Sequence, residues 1–392
     1  MRIRSYQAAC ATAAFIFAVA QSPLRADEPL HIPVIVAQSG AAAFIGQTVR
    51  REYEIAQQVI NADGGVRGQH VQFDFEDDAS NPQTVVQLMN HLIADKAPVL
   101  IGPVLTQQCN AVMPLVRQSG PVLYCLSPGL DAPPYGYLFA EGVDIRNTIR
   151  ANVRYLRERG VTRLGMLSST DASGELADRD YAAALALPEN RALTVVAREY
   201  FNTADLNVGA QLARIKAAAP QALLTWTVGP AFGTELHGVA DAGLNVPVFT
   251  TNGNMQAAQL AQYAAFMPKE LIFGSVLPLA HDSLAPGPVK SAQDRYFAAF
   301  RHAGVVPDGT SATSWDVPMI IADAYRHLGA KATADQFRSY INTLHGFAGI
   351  LGIYDFRDGL QHGLGVNDVV VMRYDGPNRP FVRVSARGGG RR

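Results

Sequence analysis

Cysteine is scarce in this 392-residue chain, which holds only Cys10, Cys109 and Cys125. Three thiols cannot complete a soft-ligand metal site, and the nine histidines are scattered without ligand spacing. Neither a metal nor a cofactor is therefore expected. Charge of one sign is also missing: 33 Lys and Arg stand against 34 Asp and Glu, for a formal net charge of −1. Such a balance lacks the basic footprint of a nucleic-acid binder. Beyond the N-terminus there is no apolar run long enough for a membrane helix. Catalytic signatures are absent too, with no Gly-x-Ser-x-Gly elbow and no His-Glu-x-x-His. The Gly64-Gly65-Val66-Arg67-Gly68 run ends a helical segment instead of opening one, and no Lys-Ser/Thr follows it. It reads as a helix C-cap and turn. Asp77 and Asp78 are adjacent on an extended segment, which points them to opposite faces, so they read as loop and cap residues. An enzyme is not expected.

The first residues carry a targeting pattern. Arg2 and Arg4 precede an apolar stretch from Ala8 to Ala20, too short to span a bilayer, and cleavage fits after Ala20 or Ala26. Residues 1–26 thus read as a signal peptide. No Cys follows either site closely, which argues against a lipid anchor. Cys10 would leave with the signal. Export then allows a Cys109–Cys125 disulfide, but two buried thiols carry at least equal weight. The basic end, 387–392, reads as a frayed, solvated tail.

Length predicts two domains, because one hydrophobic core rarely extends so far. What is present between the ends is a regular strand–helix alternation. A strand around Ile32, Val34 and Val36 runs into Ser39-Gly40 and a loop that includes Phe44 and Ile45. A helix over Gln47 to Ile60 follows, with Val49, Tyr53, Ala56 and Ile60 on one face. Val71 to Phe75 is the next strand, and Ser80-Asn81-Pro82 opens a second helix. Val99 to Ile101 ends in Gly102-Pro103, and Thr106 is placed to cap a helix from Gln107 to Arg117. From Ile145 onward the rhythm restarts through strands at 163–167, 193–198, 222–225 and 248–250. The expected fold is α/β, with two doubly wound parallel-sheet lobes and ligand loops at the carboxyl ends of the strands.

The order and spacing of Ser39-Gly40, Asn61-Ala62-Asp63-Gly64-Gly65-Val66-Arg67-Gly68, Glu76-Asp77-Asp78-x-x-Asn-Pro, Ile101-Gly102-Pro103, Ser127-Pro128 and Asp241-Ala242-Gly243-Leu244 resemble one family. It is the periplasmic solute-binding proteins of ABC importers, in the leucine/isoleucine/valine-binding class. The resemblance covers nearly all of the chain after the signal. It implies a type I binding fold with two lobes, three crossings that act as a hinge, and a ligand in the cleft between them. It further implies a soluble periplasmic monomer that hands a small-molecule carboxylate to a membrane permease. Residues 28–144 plus 280–345 would form one lobe, and 145–279 plus 346–386 the other. The hinge would lie near Val143-Asp144, Pro278 to Asp282 and Gly346 to Gly352.

By that resemblance, Leu105 and Thr106 stand where the ligand carboxylate is held, and Ser127, Gly129 and Asp131 form the adjoining loop. A helix N-terminus with a hydroxyl suits that task, while an ordinary N-cap is the bland alternative for Thr106. Phe44 and Ile45 supply an apolar wall, and Ser173, Trp226, Thr227, Val228 and Asn252 close over the ligand from the second lobe. Trp226 could equally be a core residue. Two departures matter. Asp131 replaces a Thr, and a carboxylate facing an anionic ligand would cost about 4 kcal/mol, so it either turns outward or accepts a hydrogen bond from a different ligand group. Asn252 replaces an acidic partner for an α-ammonium, so that cation would lose its counter-charge. An aromatic or related organic acid is the expected ligand. A branched-chain or other amino acid, and a sensor of the same fold, are the alternatives.

Overall fold

The computed structural model describes residues 28–308, 311–377 and 381–392. The signal-peptide reading falls outside them. A five-stranded sheet has the order β2-β1-β3-β4-β5, with β1 Leu30–Val36, β2 Val71–Asp77, β3 Val99–Ile101, β4 Val122–Cys125 and β5 Leu138–Ala140. Every pairing in it is parallel. The helices between these strands are α1 Ala43–Ala62, α2 Pro82–Ala94 and α3 Thr106–Val116. Both faces of the sheet are covered, so β3 to β5 are buried throughout, as expected for strands coated on both sides.

The second sheet has seven strands in the order β14-β13-β10-β9-β8-β6-β7. They are β6 Arg163–Ser169, β7 Thr194–Phe201, β8 Ala222–Trp226, β9 Val248–Thr251, β10 Leu271–Val276, β13 Val369–Tyr374 and β14 Phe381–Arg383. Strands β6 to β10 pair in parallel, and β13 and β14 add antiparallel at one edge. Their helices are α4 Ile145–Glu158, α5 Ala172–Leu185, α6 Gly209–Ala217, α7 Pro230–Asp241 and α8 Ala257–Gln262. Later helices return to the first sheet: α9 Pro288–His302, α10 Ser311–Ser314, α11 Asp316–Leu328 and α12 Ala334–Thr343. Tyr296, Trp315, Ile320, Ile321 and Phe337 share one apolar core with Ile32, Val34 and Tyr53.

Two boundaries differ from the sequence reading. The hairpin of β11 His345–Ala348 and β12 Ile353–Asp355 packs with the first lobe, not the second. Ile350, Leu351, Tyr354 and Phe356 lie in the first core. Asp316 fixes them by accepting the Ile350 and Leu351 amides at 2.8 and 3.0 Å and the Tyr354 hydroxyl at 3.0 Å. The third crossing therefore comes at about 365–368, after the hairpin, and not at 346–352. Residues 387–392 are not a frayed end. Gly388 and Gly389 are buried against α4, where a Cβ on Gly389 would run into the Ala151 carbonyl. Arg391 donates its backbone amide to Glu158 at 2.6 Å.

Cys109 on α3 and Cys125 at the end of β4 form a disulfide, with their Cα atoms 6.2 Å apart. It closes a loop of sequence separation 16, for which restricting the unfolded chain contributes about 3 kcal/mol. The Cys109→Ala/Cys125→Ala double variant is expected to lose about that much in urea denaturation. A loss below about 1 kcal/mol would show that the unfolded chain is not restricted by this bond.

Candidate functional site

Eight parallel strands, β1 and β3 to β9, end around one cavity of about 350 Å3. Its walls come from the segments that leave those ends: Ala41 and Ala42 after β1, Val104 to Gln107 after β3, and Leu126 to Gly129 after β4. Glu141 follows β5, Asp171 to Ser173 follow β6, Val228 to Ala231 follow β8, and Asn252 and Gly253 follow β9. This is where open parallel sheets leave polar backbone groups free for a ligand. Both lobes contribute, so the cavity exists only because the two sheets face one another.

Thr106 is the first residue of α3, and Leu105 is its N-cap. The expected capping role is thus corrected: no side chain caps the amides of this helix end. The Thr106 and Ser127 hydroxyls lie 2.8 Å apart, and both residues are buried. Gly129 permits this approach, since a Cβ there would stand 2.9 Å from Thr106 Oγ1. Uncapped helix amides, their dipole and two hydroxyls form a ready seat for an anionic oxygen. The disulfide ties α3 to β4, which carry the two halves of that seat.

Phe44 and Ile45 line the cavity from within the first turn of α1, which begins at Ala43, and not from a loop. Gly46 lets α1 press onto β1, where a Cβ would clash with the Ala37 carbonyl. The loop before the helix is held by Asp77, which accepts the Gln38 amide at 2.8 Å and the Ser39 hydroxyl at 2.7 Å. Asn81 caps α2 by accepting the Gln83 amide. From the second lobe, Trp226 lines the cavity while only 2% exposed. Its indole N–H donates to Ser173 Oγ at 3.0 Å, and its ring meets Tyr181 edge-on. It is both core and wall. Asn252 donates from Nδ2 toward Thr313 Oγ1 at 3.4 Å, a bond between the lobes.

Two sequence-derived site residues do not line the cavity. Asp131 points to the rim, where it bridges Arg146 at 2.9 Å and Arg179 at 2.6 Å. Those guanidiniums come from α4 and α5, so they draw the carboxylate outward and remove the expected repulsion. Thr227 is buried on the other side of its strand end. Trp226 and Val228 take the cavity face, and alternation sends the residue between them away. Its carbonyl accepts from Asn254 at 2.8 Å.

The sequence reading missed Glu141, Asp171, Thr203 and Thr313, which line the cavity. Glu141 and Asp171 follow strands β5 and β6, so their positions at strand ends were a usable signal; Thr313 belongs to a helix brought in by a crossing and offered none. Asp171 is matched locally, accepting the Gly174 amide at 3.0 Å and the Ser169 hydroxyl at 2.6 Å at the head of α5. Glu141 is only 6% exposed, and its Oε2 has no hydrogen-bond partner. Burial pushes its carboxyl up to about 8. Among the described residues, no Lys, Arg or His lines the cavity.

A family model described as periplasmic binding protein matches residues 29–379. A Leu/Ile/Val-binding protein homolog from Brucella melitensis is 32% identical over 91 residues, 23% of this chain and 25% of that protein. The chain's match thus spans about a quarter of that curated relative's length. Among solved structures, a solute-binding protein of an ABC transporter from Rhodopseudomonas palustris, in complex with benzoate, superposes with a TM-score of 0.74. It is 19% identical and covers 91% of this chain and 96% of its own. A branched-chain amino acid transporter substrate-binding protein from Streptococcus pneumoniae, in complex with isoleucine, has a TM-score of 0.71 at 16% identity, covering 91% of this chain and 100% of its own. At such identities the superpositions speak for the fold. Among the described residues, no helix is long and apolar enough to cross a membrane.

Proposed function

Since the chain belongs to the periplasmic binding protein family, we propose that it captures a small organic acid between its lobes and delivers it to an ABC permease from the periplasm. The observation that carries this reading is the uncapped start of α3, with the Thr106 and Ser127 hydroxyls, inside a cavity walled by both lobes. A carboxylate there accepts from the helix amides and hydroxyls without needing a basic side chain. Phe44, Ile45, Val104, Leu126, Trp226 and Val228 give the rest of the cavity an apolar lining that suits an aromatic or related body. The neutral Asn252 offers no charge to an α-ammonium, which favours such an acid over leucine or isoleucine. Closure swings the second lobe over an acid first seated on α3, and the rim pairs of Asp131 with Arg146 and Arg179 hold the lobes together.

Native mass spectrometry of the purified protein, followed by a thermal-shift panel of aromatic, aliphatic and amino acids, tests the ligand class. A ligand bound only by the folded state raises its apparent stability. Thr106→Val removes one hydroxyl from the carboxylate seat and is expected to weaken binding of the acid found by about 10-fold, the worth of one hydrogen bond to a charged group. Unchanged affinity in calorimetry would remove Thr106 from the seat. Tight leucine binding with none for benzoate-type acids would overturn the preference for organic acids.

A further inference from the structure

A second cavity, of about 1220 Å3, runs along the crossing segment Leu277–Ser283. Both lobes wall it: α1 and α9 from the first, β14 and the tail from the second. Phe44 belongs to both linings, so this cavity adjoins the cleft. Its charge is opposite. The cleft holds Glu141 and Asp171 and no basic side chain, whereas here Arg51, Arg301, Arg383 and Arg392 stand against Asp282 and Asp308. Those two acids are engaged elsewhere: Asp308 accepts the Ser311 amide at 3.0 Å, and Asp282 meets His281 Nδ1 at 3.1 Å while fully exposed. His281 in turn meets Asp294 through Nε2 at 2.7 Å. Among the described residues, none of the four arginines has a carboxylate within ion-pair reach, although neighbouring Arg387 is paired with Asp368 at 2.6 Å. Arg383 donates only to neutral oxygens, the Ser385 carbonyl at 2.7 Å and the Ser283 hydroxyl at 3.1 Å. Arg392 donates to the Arg383 carbonyl at 3.2 Å. Burial, then the charges of Arg392 and Arg387, hold the Arg383 guanidinium below its usual range. Gathering like charges without a counter-charge is costly, and an anion among them would remove that cost.

We infer that this cavity is a second ligand site, for a multivalent oxyanion of the phosphate or polycarboxylate class, held by arginines of both lobes. The guanidinium fork matches such oxygens two at a time, which a multiply charged anion can satisfy from several sides. Arg51 and Arg301 come from helices on the first sheet, and Arg383 and Arg392 from the edge strand and tail of the second. An anion that engages both sets ties the lobes together beside a segment about which they move. It thereby favours the arrangement of lobes that brings the arginines to one cavity. Recognition here uses side-chain cations, whereas the seat at α3 uses helix amides and hydroxyls. The site therefore stands independently of the acid-binding reading.

Inorganic pyrophosphate and citrate are the probes, titrated into the purified protein by calorimetry in about 0.15 M sodium chloride, which screens loosely spaced surface charges. At least one is expected to bind. Pyrophosphate alone assigns the phosphate class, citrate alone the polycarboxylate class, and both together the shared chemistry. The Arg51→Gln/Arg301→Gln double variant and Arg392→Gln should each weaken the complex about 10-fold or more, the worth of a hydrogen bond between charged groups. Arg392→Gln is chosen on the second lobe because Arg383 also bonds the crossing at Ser283, and its loss would disturb the fold. Arg150 on α4 is exposed and outside both cavities, so Arg150→Gln should leave binding within about 3-fold. Thr106→Val should do the same, because the α3 seat is not used. Absence of binding by both probes, or equal weakening by Arg150→Gln, overturns the site. A loss in Thr106→Val places the anion on α3 and also overturns it. Weakening from one lobe's arginines alone overturns the bridging of the lobes.

Discussion

Trp226→Ala is expected to destabilise the protein by about 4 kcal/mol, the range for removing a large buried aromatic from a packed core. The side chain is 2% exposed, stands edge-on to Tyr181 and shares a core with Ile149, Leu164 and Phe249. Its loss also removes one apolar wall of the cleft and the donor to Ser173. Trp226→Phe separates the two effects: most of the packing stays, and the lost hydrogen bond costs only about 1 kcal/mol. The chain has two tryptophans, and the other, Trp315, sits in the first-lobe core outside the cavity wall. Ligand-induced change in tryptophan fluorescence should therefore vanish in Trp226→Phe. A change of undiminished size in that variant would mean that the ligand does not approach Trp226, and a cost below about 1 kcal/mol for Trp226→Ala would contradict its place in the core.

Stability of the ligand-free protein should fall as pH rises from 5 to 8. Glu141 is held at about 8, Asp316 at about 6, and Glu52 is raised well above its usual range, each chiefly by burial. Between the ordinary carboxyl value and these raised ones the folded state binds more protons than the unfolded state, so stability declines with pH. At ~1.4 kcal/mol per unit, Glu141 alone accounts for roughly 3 kcal/mol between its unfolded value of 4.5 and pH 7. Paired surface carboxylates act in the opposite sense. Asp355, lowered to about 2 by Arg357, loses its contribution only in strong acid, outside this window. Urea titrations at pH 5, 6, 7 and 8 read the slope directly, and Glu141→Gln should flatten it. A stability that is level or rising across the window would show that these carboxyls are not kept neutral in the folded protein.

Much of the first lobe was legible because its signals are local. Asn81-Pro82 opens α2, the Gly64–Gly68 run follows α1, and apolar alternation marks β1 and β2. Less legible were the elements whose burial depends on distant partners. Strand β10, Leu271–Val276, is short and apolar, and only its place between β9 and β13 makes it a central strand. The hairpin at 345–355 belongs to the first lobe because Asp316, far back in the chain, supplies the acceptors for its amides. The tail is ordered because glycines let it lie on α4.

For the cleft, residue types and spacing by themselves determined the class of site: parallel strands ending in small and polar loops, with a hydroxyl at the head of α3. Those features are local, since strand ends and helix starts are set by residues within a turn or two. Which side chains face the ligand was decided only by tertiary structure. Arg146 and Arg179 turn Asp131 to the rim, strand alternation sends Thr227 away, and Thr313 arrives on a helix after two crossings. Glu141 depends on this most of all. Its identity is plain in the chain, but the burial of its partnerless Oε2, near Glu52 and Ser314, is set by residues far from it in sequence.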